Sequence, residues 1–144
     1  MAIKQNDPNT IFLSGDRTQV GDLAVSEVLL PGMGVERFNN NGVIRWRKAT
    51  ADVANPPAVI TNQSMLNLGI NDPYKVGDLA EVSILHKGAT AWMLMASGDA
   101  IVAGDKLGNK GDGTVKKNAT VTLYTALENK TATNNTTRVR VEAA

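Results

Sequence analysis

Residues 100–117 limit the fold most tightly. Short apolar anchors at Ile101, Val102, Leu107 and Val115 alternate there with the pairs Gly104-Asp105, Gly108-Asn109 and Gly111-Asp112. Glycine reaches the positive backbone angles that tight turns need, so the pattern predicts turns between short strands. A phosphate cradle is the sharper alternative, because clustered glycines expose backbone amides. The pattern lacks the Gly-Lys-Ser/Thr of a P-loop and the helix on which a phosphate would rest. A calcium loop fails too: Asp105, Asn109 and Asp112 are four and three apart, not every second residue, and Lys106 and Lys110 lie between them.

At 144 residues the chain fits one domain, and 42% apolar against 20% charged residues predicts a globular state. A net charge of +1 gives no field able to hold a nucleic acid backbone. Nucleic acid is therefore not an expected partner. The chain has no cysteine, which removes disulfides, thiolate metal sites and cysteine nucleophiles together and fits a reducing cytoplasm. The first residues show no apolar leader, and no apolar run approaches the ~20 residues that span a bilayer, so no membrane association is expected.

Residues 1–19 differ in character from residues 20–144, and a boundary is expected between them. The turn-forming Asn6-Asp7-Pro8-Asn9 precedes a short apolar patch, Ile11-Phe12-Leu13, which Ser14-Gly15-Asp16 ends. Two readings are open: a tail packed on its own domain, or an extended arm that lays the patch on a partner.

The pentapeptide Val20-Gly21-Asp22-Leu23-Ala24 returns at residues 76–80, and a looser copy stands at 103–107. Each copy reads as the same turn leading into a strand. Asn41-Gly42 between apolar runs predicts a hairpin, with Ile44 and Trp46 on one face of its second strand and Arg45 and Arg47 on the other. The fold centre is expected over residues 79–96, where Trp92, Met93, Leu94 and Met95 form a run apolar on both faces. Residues 121–127 alternate as a strand, residues 129–136 read as a mobile loop, and residues 137–142 as an edge strand. In that last strand Val139 and Val141 point inward, and Arg138, Arg140 and Glu142 outward.

Chemistry is hard to find. His86, the sole histidine, sits at a turn with no second histidine for a metal and no obvious serine for a triad, and most aspartates follow glycine or precede proline. No catalytic residue, metal ligand or cofactor is expected, and the chain is read as non-enzymatic.

The order of these motifs resembles that of the small head decoration, or cement, proteins of tailed bacteriophages. It runs from Pro31-Gly32-Met33-Gly34 through the Asn-Gly hairpin, the repeat at 76–80, Ala103-Gly104-Asp105 and Gly111-Asp112-Gly113-Thr114-Val115 to Arg138-Val139-Arg140-Val141. The resemblance covers residues 20–142. It implies an all-β protein, a small β-barrel or β-sandwich of short strands with an extended N-terminal arm. Such a protein joins the outer surface of the expanded capsid, bridges neighbouring major capsid proteins and often forms a homo-trimer. It further implies shell contacts from the arm, here Ile3, Ile11, Phe12, Leu13 and Arg17, with Arg45, Trp46 and Arg47 as a further interface. The competing reading is an all-β adhesion or glycan-binding domain, which needs exposed aromatic platforms from Trp46, Trp92, Tyr74 or Tyr124.

Overall fold

The computed structural model describes residues 10–63, 66–134 and 136–144. Within them the chain is all-β, in short strands. The first six strands are β1 (Phe12–Ser14), β2 (Arg17–Val20), β3 (Val35–Asn40), β4 (Val43–Lys48), β5 (Ala58–Ile60) and β6 (Val82–Leu85). Then come β7 (Thr90–Leu94), β8 (Ala100–Ile101), β9 (Lys106–Asn109), β10 (Val115–Lys117), β11 (Tyr124–Ala126), β12 (Lys130–Thr131) and β13 (Arg138–Ala143). The principal sheet has the order β1-β7-β13-β11-β9-β10. Beside it stand the three-stranded sheet β2-β6-β5 and the two-stranded ribbons β3-β4 and β12-β8. Every strand pair is antiparallel. The principal sheet curls until Val115 meets Met95 in a parallel bridge and accepts the Ala96 N–H at 2.9 Å. The arrangement is sandwich-like.

Apolar side chains collect in two clusters. One gathers on the principal sheet around Ile11, Trp92, Met93, Met95, Leu107, Tyr124, Val139 and Val141. The other packs Val25, Leu29, Trp46, Ile60, Tyr74 and Val82 beneath the β3-β4 ribbon. The stretch expected to be central spans both, since β6 belongs to the three-stranded sheet and β7 to the principal one. Trp92, Met93, Leu94 and Met95 are all buried, as a strand covered on both faces requires.

The repeated pentapeptide behaves in two ways. At residues 75–78 and again at 102–105 the fourth N–H bonds the first carbonyl, at 2.9 and 3.0 Å. In both, the aspartate carboxylate accepts the first residue's N–H at 2.9 Å. Gly77 and Gly104 stand third, with φ of 91° and 95°, as in a type II turn. The copy at residues 20–24 makes no such turn. It runs instead alongside the second copy, Ala24 bridging Leu79 and Leu23 accepting the Ala80 N–H at 2.9 Å. The motif is thus a turn in two places and a strand partner in the third.

Several expectations are corrected. The strand expected over 121–127 forms only at Tyr124–Ala126. Residues 119–121 cross over Gly108 instead, where a Cβ would lie 2.0 Å from the Val121 carbonyl oxygen and 2.6 Å from the Ala119 Cβ. The polar stretch expected as a mobile loop contains β12, which pairs with β8, and Ala132 is buried beside it. The last strand is not an edge: β13 lies between β7 and β11, so Arg138 is buried, not outward. Val139 and Val141 do point inward, both fully buried.

The first segment is corrected most. Ile11 has no exposed surface, its carbonyl accepts the Trp92 N–H at 2.8 Å, and β1 pairs with β7 in the principal sheet. Next in the chain β2 pairs with β6 over its full length, so the boundary expected after residue 19 falls inside a strand. Of the two readings, a segment packed on its own domain describes residues 11–20. An apolar isoleucine fills a core more favourably than it waits in water for a partner.

The two buried tyrosines differ in one respect. The Tyr74 hydroxyl donates to the Thr61 carbonyl at 2.6 Å and accepts the Glu81 N–H at 3.3 Å. The Tyr124 hydroxyl is buried without a hydrogen-bond partner among the described residues. Burial raises the pKa of both. Tyr74→Phe is expected to cost about 1–2 kcal/mol in urea denaturation, because it strands a carbonyl and an amide. Tyr124→Phe removes an unsatisfied polar group and is expected to be neutral or stabilising. Equal losses in both would refute the assignment.

Candidate functional site

The β3-β4 ribbon owes its shape to its turn. Asn41 and Gly42 have φ of 54° and 89°, the mirror-image geometry that matches strand twist, and the Gly42 N–H donates to the Asn39 side chain at 2.7 Å. The register places Arg37 opposite Trp46, Phe38 opposite Arg45 and Asn40 opposite Val43. One face therefore carries Val35, Arg37, Trp46 and Ile44, and the other Glu36, Phe38, Val43, Arg45 and Arg47. At the base, Val35 and Trp46 are buried in the second cluster. At the tip, Val43 and Ile44 are 53% and 44% exposed.

The ribbon's charges are unevenly matched. Arg47 stands 3.6 Å from Glu36 and lies over the Phe38 ring, 4.5 Å from its centre. Glu36 also receives the Thr50 N–H and the Asn55 side-chain amide. Arg37 lies over the Trp46 ring at 5.6 Å. Among the described residues neither Arg37 nor Arg45 has a carboxylate partner within ion-pair distance.

A pocket of about 120 Å³ lies between the ribbon and residues 55–58, lined by Val35, Glu36, Arg37, Trp46, Asn55, Pro56, Ala58 and Ile84. A larger groove of about 400 Å³ is lined by Gly21, Gln63, Leu66, Asp78, Leu79 and Glu81. Leu66 and Leu79 are 67% and 62% exposed.

The expected contact residues are scattered. Ile3 lies outside the described residues, and Ile11 is core. Phe12 is half-buried under the Arg17 guanidinium, 4.0 Å from its ring centre, and Arg17 also donates to Ser83 Oγ at 3.0 Å. Of the described members of that set only Leu13 is exposed, at 39%. In the second set Arg45 and Arg47 are partly accessible, whereas Trp46 is buried and offers no surface. Trp46, Trp92, Tyr74 and Tyr124 are all buried, so none presents a ring on which a sugar could stack. The exposed ribbon tip and the leucine groove were missed in the sequence reading. Val43-Ile44 immediately after the Asn-Gly turn was the available sign, since a hairpin tip has little core to reach.

The acidic and amide side chains weighed for calcium have separate duties. Asp105 caps its own turn at Val102, and Asn109 is buried against Gly34. Burial would raise the Asp112 pKa, but hydrogen bonds from the Thr114 hydroxyl and amide, with Lys110 nearby, outweigh it and hold the carboxyl below its ordinary value. Among the described residues no group of three or more His, Cys, Asp or Glu side chains is placed to hold a metal ion. His86 Nε2 lies 2.8 Å from the Thr18 hydroxyl.

Short antiparallel strands on two cores, with an exposed ribbon and an open groove, define an all-β, sandwich-like domain. Among solved structures it is similar to the N base of the head fiber gp8.5 of bacteriophage phi29. The TM-score is 0.61 at 14% identity, and the match covers 90% of this chain and 95% of that one. The likeness is one of fold. No protein-family model matches the chain, and no curated protein does.

Proposed function

We propose that this chain is a structural protein of a tailed-phage head, a decoration or cement protein that performs no reaction. It binds the outside of the expanded shell, bridges neighbouring major capsid proteins and stabilises them, and it associates as a homo-trimer. The observation that carries the reading is the shared fold: nearly the whole chain matches nearly the whole of a domain whose name places it at the base of a phage head fibre. The order of motifs in the sequence supports the same reading independently. The chain's near-neutral charge suits a protein packed at many copies on one surface, where like charges would repel.

The test is co-sedimentation with shells of a phage whose genome encodes the protein. It is expected to pellet with expanded shells, to stay in solution with unexpanded ones, and to raise the temperature at which expanded shells rupture. Failure to pellet with expanded shells would overturn the reading.

A further inference from the structure

We infer that the β3-β4 tip of one copy seats in the Leu66-Leu79 groove of a second copy. The tip is an apolar wedge. Val43 projects from one face of the ribbon and Ile44 from the other, both about half exposed. A cation flanks each: Arg45 two residues along the face of Val43, and Arg37 on the face of Ile44. The groove is its complement. Leu66 and Leu79 are the most exposed leucines described, Asp78 and Glu81 stand beside them, and about 400 Å³ admits the two aliphatic side chains of the tip.

Charge and apolarity thus match between two surfaces of one chain. A net charge of +1 leaves little overall repulsion between copies. Because tip and groove are different surfaces, the contact is head-to-tail, the kind that closes into a ring when the rotation between copies allows. The inference rests on the self-association in the reading above and not on shell binding, so its failure and that of the shell reading are separable.

The wild type, Val43→Asp/Ile44→Asp and Leu79→Asp are compared by sedimentation equilibrium over a dilution series. Leu66→Asp serves as a second groove variant. All substituted side chains are exposed, so thermal midpoints near that of the wild type are expected. The wild type is expected to self-associate, and each variant to do so at least about tenfold more weakly, because a carboxylate is buried at the centre of the contact. The decisive arm is a mixture. The tip variant retains a sound groove and the Leu79→Asp variant a sound tip, so together they are expected to form a one-to-one complex that neither forms alone. A monomeric wild type, folded variants that associate like the wild type, or a mixture that stays monomeric would each overturn the inference.

Discussion

Truncation through Val20 is expected to abolish the cooperative unfolding transition, whereas removal of residues 1–9 alone is expected to keep it. Truncation through Val20 takes away Ile11, β1 and β2. Ile11 has no exposed surface and sits among Trp92, Met93 and Val139 in the first cluster. Emptying such a site to alanine costs about 2–5 kcal/mol. The strands add hydrogen bonds along β7 and β6, and their loss bares two sheet edges. A domain of this size is stable by only about 5–15 kcal/mol in total. Urea titration followed by tryptophan fluorescence reads the result, since Trp46 and Trp92 each sit in one of the two clusters. An unchanged midpoint after truncation through Val20 would show that this segment is an appendage after all. Ile11→Ala in the full chain separates the core contribution from that of the strands, with an expected loss of about 3 kcal/mol.

The second large effect is expected at Arg138. The residue is 5% exposed, and among the described residues its guanidinium is held by carbonyl oxygens, with no carboxylate bonded to it. It donates to the Pro31 carbonyl at 3.0 and 3.4 Å, to the Ile70 carbonyl at 2.6 Å and to the Asn71 side chain at 3.1 Å. Burial pushes its pKa down, yet a guanidinium stays charged at neutral pH. One side chain on the central strand thereby pins two loops, at Pro31 and at Ile70-Asn71. Arg138→Ala leaves several buried acceptors without donors and is expected to lose about 3 kcal/mol or more. Arg138→Lys keeps the charge but not the planar fork that reaches three residues, so it is expected to recover less than half of the loss. Lysine restoring wild-type stability would mean that charge alone matters.

How far the sequence could be read follows from the range of the interactions involved. Turns are local. Asn41-Gly42, the two Gly-Asp turns and the strand cores at 90–94 and 138–143 were legible because a few neighbouring residues decide them. Strand order is not local, and the errors cluster there. Arg138 and Arg140 alternate with valines in a way that reads as a half-solvated edge, and no residue nearby announces that Pro31 and Ile70 will meet Arg138. Ile11-Phe12-Leu13 read equally well as an arm or as a tail, since only the edge of β7 decides between them. Gly108 read as one more turn glycine, although its use is to let residues 119–121 pass at close range. For the candidate site, Arg45 and Arg47 were legible from alternation, whereas the burial of Trp46 depends on Val25 and Tyr74 from distant segments.

The placement of β7 bears on how the protein is made. Its neighbours in the sheet are β1, from the start of the described chain, and β13, from its end. A nascent chain can pair β1 with β7 soon after residue 94 has left the ribosome. It cannot cover the other edge until residue 143 has followed. Until β13 is in place, a strand of tryptophan, methionine and leucine keeps one edge unpaired, a template on which another chain could pair.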